Sequence, residues 1–237
     1  MMNLKIVLVA FGRPYLDEAL LCLKTIRNNG EFNGEVYIIT NVFETTIEHA
    51  VKIYINEYKY SADNIIGSGF KLKILDLIPY EENDVFLYLD SDILVLKKIE
   101  LPDPKDKVCV YGYPGRILEE ISFAGFITDD PKIIHQPAFC SGIFLFRPTK
   151  EIKETFKNTW NDYEKNYYNK NFNGCWEQPF LTYHLTKDKL SNICLNDFVY
   201  EERSNVEKNE KNMFNHLCGL RGIERKRIMK KYIISTN

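Results

Sequence analysis

The residues best suited to chemistry in this chain are two carboxylates two positions apart, in Asp90-Ser91-Asp92. In extended backbone, residues i and i+2 project to the same side, so the two carboxylates converge. They follow Val85-Phe86-Leu87-Tyr88-Leu89, the most strand-like segment of the sequence. Converging carboxylates repel, and withdrawing them unpaired from water is costly. A hard divalent cation removes both difficulties, because Mg²⁺ or Mn²⁺ accepts one or two protein carboxylates and keeps positions open for phosphate oxygens. A plain Asp/Ser turn after a strand accounts for the same tripeptide without any ligand.

The elements that must hold this pair read as alternating strands and helices. Leu4 to Phe11 is nearly continuous in apolarity, as a parallel strand covered on both faces should be. Tyr15 to Arg27 has apolar residues at helical spacing (Leu16, Ala19, Leu20, Leu23, Ile26) and ends at Asn28-Asn29-Gly30. Glu35 to Thr40 reads as a second strand, whereas Thr45 to Tyr60 fits a strand or a helix. Phe70 to Ile78 reads as a short helix stopped by Pro79. Further strands are expected at Val108–Gly112, Gly142–Arg147 and Asn192–Phe198, and helices at Lys150–Tyr168, Gln178–Leu185 and Ile223–Lys231. This alternation predicts an α/β architecture: an open, mostly parallel central sheet flanked by helices on both faces. Ligands of such sheets bind in the crevice beyond the carboxyl ends of the strands, where Asp90 and Asp92 would lie.

Composition narrows the options. The chain has 237 residues and no repeat or composition break, so one domain over 1–237 is expected, with one half ending after the Asp90–Asp92 strand (1–112) and the other following it (113–237). A net charge of −2 excludes a globally basic nucleic-acid binder. The positive charge is local: Arg221, Arg225, Lys226, Arg227, Lys230 and Lys231 stand against Glu224 alone, reading either as a solvated basic helix face or as a contact for an anionic ligand or an anionic membrane surface. The six cysteines show no C-x-x-C pair, which favours reduced, mostly buried thiols over a zinc site. The apolar run Ile6–Phe11 is too short for a signal-peptide core and leads into Gly12-Arg13-Pro14, so a soluble, cytoplasmic protein without a transmembrane segment is expected.

The segment Phe86 to Leu96 (F-L-Y-L-D-S-D-I-L-V-L) resembles the D-x-D strand of glycosyltransferases with the GT-A (Rossmann-like) fold. It is most similar to family 8, the group of glycogenin, galactinol synthase and bacterial lipopolysaccharide galactosyltransferases. Five further segments follow the family's order. Tyr15 stands at a helix start, where the family stacks an aromatic ring on uracil. Lys71-Leu72 lies on the helix before the D-x-D strand. Phe139-Cys140-Ser141-Gly142-Ile143-Phe144 resembles F-N-[SA]-G-V-F, and Trp176-Glu177-Gln178-Pro179-Phe180-Leu181 resembles the D-Q-x-x-L block. His216-Leu217-Cys218-Gly219 resembles the H-x-x-G motif whose histidine is the third protein ligand of the metal.

This resemblance implies a metal-dependent hexosyltransferase that moves a sugar from a nucleotide sugar, a UDP-sugar in the family's pattern, to a hydroxyl of a glycan, lipid-glycan or protein acceptor with retention of configuration. It implies Mn²⁺ or Mg²⁺ on Asp90, Asp92 and His216. The nucleotide sugar would meet Ala10, Phe11, Tyr15, Lys71, Asp90, Ser91, Ser141, Gly142, Gly219 and Arg221. Glu177 and Gln178 would stand near the reacting carbon; if the reaction inverts instead, Glu177 is the candidate general base. The chain departs from the family at three positions. Cys140 replaces an asparagine, Glu177 an aspartate, and Gly222 a lysine, leaving Arg221 or Arg225 to contact the diphosphate. Trp176 is the candidate acceptor-stacking residue, while Phe156, Trp160, Tyr163 and Tyr167 are spaced as one helix face and read as core. A sugar-nucleotide nucleotidyltransferase is the alternative, but its glycine-rich phosphate loop is absent from Ala10-Phe11-Gly12-Arg13-Pro14-Tyr15. A non-catalytic nucleotide-sugar-binding protein is the other, for which Cys140 and Gly222 speak.

Overall fold

The computed structural model describes residues 2–56, 67–168, 176–201, 212–220 and 222–234. Its strands are β1 (Asn3–Ala10), β2 (Val36–Thr40), β3 (Val51–Tyr54), β4 (Asp84–Leu89), β5 (Ile93–Val95), β6 (Val108–Ile117), β7 (Pro137–Phe146), β8 (Ser191–Asn192), β9 (Val199–Glu201) and β10 (Phe214–His216). Its helices are α1 (Arg13–Asn28), α2 (Ile74–Leu77, entered through a 3₁₀ turn over Gly69–Lys73), α3 (Pro131–Ile134), α4 (Lys150–Tyr168), α5 (Gln178–Lys187) and α6 (Gly222–Ile234).

Seven strands form the central sheet in the order β3-β2-β1-β4-β7-β6-β8. The first four in that order run parallel, and β8 is parallel to β6. Strand β7 inserts antiparallel between β4 and β6. The mostly parallel sheet expected from the alternation is therefore present, with one antiparallel insertion. Every residue of β2 and β4 is buried, the pattern of strands covered on both faces. Each buried Leu, Ile or Val contributes about 1.5–3 kcal/mol, so these strands anchor whatever stands at their ends.

Two core layers sandwich the sheet. On one face β1 and β4 present Ile6, Leu8, Leu87 and Leu89 to Leu16, Ala19, Leu23 and Ile26 of α1 and to Met229 of α6. On the other, Val7, Phe86, Tyr88 and Phe144 pack with Phe156, Trp160 and Tyr163 of α4 and with Phe180 and Leu181 of α5. The α4 aromatics are thus core, as their spacing predicts; nothing is described of the Tyr167 side chain.

Three expectations are corrected. Asn192–Phe198 is not a strand: pairing with β6 ends after β8, and residues 194–198 turn. Strands at Val108–Gly112 and Gly142–Arg147 are longer than expected, because β6 absorbs Pro114 and Gly115 through register shifts and pairs with an earlier start of β7. Cys109 and Cys194 form a disulfide rather than remaining reduced, because β6–β8 pairing brings their Cα atoms to 5.3 Å. Cys22 and Cys140 are free and buried, Cys218 is free and half-buried, and Cys175 lies outside the described residues. The ambiguous Thr45–Tyr60 stretch contains β3; residues 57–66 lie outside the described residues. Among the described residues, no helix is long and apolar enough to cross a membrane.

Candidate active site

Strand β4 ends at Leu89, and Asp90 projects from its carboxyl end as expected. The Asp90 N–H donates to the Gly142 carbonyl across the β4–β7 pair at 2.7 Å, and a turn closed by Ile93 N–H to Asp90 O leads into β5. A second, three-stranded sheet, β5-β10-β9, follows. Antiparallel pairing sets His216 opposite Ile93, and the Leu217 N–H donates to the Asp92 carbonyl at 3.1 Å. Apolar Ile93, Leu94 and Val95, all buried, thus carry the histidine to the carboxylates from a distant part of the chain.

One ligand atom each from Asp90, Asp92 and His216 lies within 4.8 Å of the others. Asp92 and His216 are buried, and the Asp90 side chain is 32% exposed, so one side of the cluster meets solvent. Asp92 Oδ1 approaches His216 Nε2 at 3.3 Å yet makes no hydrogen bond. A Cβ added at Gly142 would fall 2.7 Å from Asp90 Oδ2 and 2.8 Å from His216 Cε1, so a side chain there would fill the space these groups enclose. A buried carboxylate oxygen whose one close partner is the His216 ring, a cradle kept clear by glycine and a donor set of two carboxylates and one imidazole all fit Mn²⁺ or Mg²⁺.

The electrostatics agree with an ionised cluster. Burial works against the Asp92 carboxylate, but His216 and Arg225 outweigh it and hold its pKa well below the usual carboxylate range. Burial likewise works against a charged His216, and Asp92 wins, drawing the imidazole well above its ordinary value. His216 Nδ1 faces Cys140 Sγ at 3.7 Å, so the thiol that replaces the family's asparagine lies behind the imidazole.

A second network borders this cluster. Lys71, on the 3₁₀ turn, is 2% exposed and offers its ammonium to Asp90 Oδ1 (3.1 Å), Glu177 Oε1 (2.8 Å) and the Ser141 carbonyl (3.1 Å). Its three N–H donors therefore have three acceptors. Burial opposes the charge, and Asp90 and Glu177 overcome it, raising the Lys71 pKa above its ordinary value. Glu177 is 3% exposed; Ser141 Oγ donates to its Oε1 at 2.9 Å and Ser68 Oγ to its Oε2 at 2.6 Å. Burial pushes the Glu177 carboxyl up, but Lys71 and Ser68 pull it below the usual range. Gln178 is fixed at both ends, accepting from the Ser141 N–H at 3.3 Å and donating to the Ser122 carbonyl at 3.1 Å. Beside it, Trp176 is 39% exposed and held at a φ of 52°, which an aromatic residue rarely adopts.

The structure therefore joins Lys71, Asp90, Asp92, Ser141, Gly142, Glu177, Gln178 and His216 in one contiguous set. Ser91 is buried within the same turn. Ala10 and Phe11 stand one strand over, at the carboxyl end of β1, where Phe11 stacks on Phe70 with ring centroids 4.8 Å apart. Tyr15 is half-buried against the α1 core layer. Gly219 lies beyond β10 with open space around it, and Arg221 is outside the described residues. Gly222 opens α6 at a φ of 58°, a conformation in which a lysine would be strained.

Sequence reasoning missed three contributors. Ser68 and Tyr88 hydrogen-bond Glu177 and Asp90 respectively. Glu18 is 2% exposed on α1 and receives Arg225, whose other end grips Asp92. Its signal was present: Glu18 occupies a core-facing position of α1, between Leu16 and Cys22, where an acidic side chain needs a buried partner. The basic C-terminal helix also divides. Arg225 and Lys226 are half-buried against α1, whereas Arg227, Lys230 and Lys231 are exposed.

No protein-family model matches the sequence. No curated protein matches it significantly either. Solved structures do. The galactosyltransferase LgtC, solved in complex with donor and acceptor sugar analogs, superimposes with a TM-score of 0.62 at 15% identity, over 98% of this chain and 95% of that one. This chain has the GT-A fold. An active-site mutant of LgtC gives a TM-score of 0.60 at 14% identity, and the bifunctional glycosyltransferase WbbM gives 0.62 at 11% over 98% of this chain and 50% of that one. The GT-A architecture inferred from the order of the sequence motifs is thus the observed one, while identities this low speak to the fold alone.

Proposed function

We propose that this chain is a metal-dependent glycosyltransferase of a single domain, moving a sugar from a UDP-sugar to an acceptor hydroxyl with retention of anomeric configuration. The observation that carries the reading is the Asp90, Asp92 and His216 grouping at the carboxyl end of β4, within a fold shared with sugar transferases. Asp90, Asp92 and His216 would hold Mn²⁺ or Mg²⁺, which when bound supplies Lewis-acid neutralisation of charge on a diphosphate leaving group.

The chain's own residues supply the rest. Lys71 brings a permanent positive charge beneath Asp90, and its three hydrogen bonds hold that charge in place before substrate arrives, which is the condition for electrostatic preorganisation. Glu177 has both oxygens engaged, by Lys71 and Ser141 on one side and Ser68 on the other. A carboxylate so held is suited to positioning Lys71 and Ser141, and poorly suited to accept a proton from an acceptor hydroxyl, so the geometry favours retention over inversion with Glu177 as base. Gln178, half-buried and fixed through Ser141 and Ser122, presents its amide beside this pair with little freedom to reorient. Trp176, exposed and next to Glu177 in sequence, is the candidate aromatic platform for an acceptor sugar.

The test is incubation with Mn²⁺ and a panel of UDP- and GDP-sugars, following release of free nucleoside diphosphate. Turnover of one UDP-sugar, abolished by chelator, is expected. Metal-dependent UDP binding without turnover of any donor, with candidate acceptors present, would overturn the enzymatic reading in favour of a nucleotide-sugar-binding protein.

A further inference from the structure

Arg225 was a candidate contact for the diphosphate. Its observed partners are different. On α6, its Nε donates to Glu18 Oε1 at 3.1 Å and its Nη1 donates to Asp92 Oδ2. All three side chains are largely buried, at 12% exposure for Arg225, 2% for Glu18 and 11% for Asp92. A parallel contact, Lys226 Nζ to Asp17 Oδ2 at 2.9 Å, ties the next residue of α6 to α1. We infer that Arg225, anchored by Glu18, is a positioning residue that orients the Asp92 carboxylate toward the cation. This inference rests on the metal-site reading above.

Three features support it. A carboxylate turns about its Cβ–Cγ bond unless one oxygen is held. The guanidinium holds Oδ2, which leaves Oδ1 facing His216 Nε2 at 3.3 Å with no hydrogen bond of its own. An isolated guanidinium beside a metal ligand would repel a divalent cation. Glu18 offsets that: with both carboxylates ionised, Glu18, Arg225 and Asp92 together carry the single negative charge of Asp92 alone. Finally, the planar guanidinium fixes the direction of its bonds to two carboxylates on different elements, Nε to Glu18 and Nη1 to Asp92, whereas a lysine offers a point charge on a flexible stem. Outer partners of this kind typically contribute 10–100-fold to metal affinity.

The experiment is a Mn²⁺ titration followed by electron paramagnetic resonance, without donor, together with melting temperatures in the absence and presence of Mn²⁺. The proteins are wild type, Arg225→Gln, Arg225→Lys, Glu18→Gln, the Glu18→Gln/Arg225→Gln pair, and Asp92→Asn as the control lacking a ligand. Both Arg225 variants are expected to weaken Mn²⁺ binding about 10-fold or more. Glu18→Gln should weaken it less, and the double variant should bind no worse than Arg225→Gln, because Glu18 acts only through Arg225. A residue that merely fastens α6 to α1 would lower the melting temperature and leave the Mn²⁺ dissociation constant unchanged; that result, tighter binding, or additive losses would overturn the inference. If Arg225→Gln fails to fold, Arg225→Lys and Glu18→Gln carry the same comparison. Wild-type binding no stronger than that of Asp92→Asn removes the metal reading itself and the positioning role with it.

Discussion

Replacing Lys71 by methionine separates the contribution of the buried charge from that of the space it fills. Methionine roughly conserves volume, so packing against Tyr88, whose ring lies 4.7 Å below the ammonium, is largely kept. What is lost is the partner of Glu177, which is 3% exposed. Removing one member of a buried pair costs about 3–5 kcal/mol, mostly because the other charge is stranded. Glu177 keeps hydrogen bonds from Ser68 and Ser141, and Asp90 keeps contact with water, which places the expected loss near the lower end, about 3 kcal/mol. At roughly 2–4 °C per kcal/mol for a chain of this size, the melting temperature should fall by about 6–12 °C. Adding Glu177→Gln removes the stranded charge, so the double variant should be more stable than Lys71→Met alone, although it carries one substitution more. Urea unfolding of wild type, both single variants and the double variant measures this directly. Additive losses in the double variant, or a Lys71→Met protein as stable as wild type, would refute the view that one buried pair organises this side of the site.

Gly142→Ala should weaken Mn²⁺ binding at least about 10-fold while circular dichroism stays native, with an overpacking cost of about 1–3 kcal/mol, because the new methyl meets Asp90 Oδ2 and His216; unchanged Mn²⁺ affinity would count against the cradle. Stability should also fall in acid through Glu177. Its folded pKa is lowered, so its contribution is complete above the unfolded carboxylate value, about 4.3, and is lost as pH drops through the folded pKa. Glu177→Gln should therefore show a shallower loss of stability than wild type below that range, and identical slopes in urea unfolding against pH would remove this residue from the explanation.

The acidic pair was legible because its signal is local: an apolar strand running into two carboxylates can be read from seven consecutive residues, Val85 to Ser91, plus Asp92. Lys71, Ser141, Glu177 and His216 were legible only through the order of the family's motifs, since each alone reads equally well as a surface lysine, a turn serine, a helix cap or a core histidine. The three-stranded sheet that delivers His216 was not legible. Its strands are three residues each, too short for alternation to register, and β9 begins only past the end of the stretch read as a strand, Asn192–Phe198. The Glu18–Arg225–Asp92 link joins residues from α1, α6 and the turn after β4, so no spacing rule could pair them, although the misplaced charge on the apolar face of α1 marked one end. The disulfide was missed for a related reason: Cys109 and Cys194 are neighbours only through β6–β8 pairing, and β8 is two residues long.

The pairing of β10 with β5 has a consequence for the order in which the molecule becomes competent. About half the chain separates Ile93 from His216, yet the two lie opposite each other in one ladder. Contacts so distant in sequence form late, because a large loop must close before they return any stabilisation. Asp90 and Asp92 directly follow β4 and arrive with it, while Gly142, His216 and Arg225, which hold or complete them, come from later parts of the chain. A chain arrested part-way would carry the acidic pair without its imidazole. On the metal-site reading proposed above, high-affinity uptake of a divalent cation would then be a property of the finished fold only, and a bound ion would mark complete assembly.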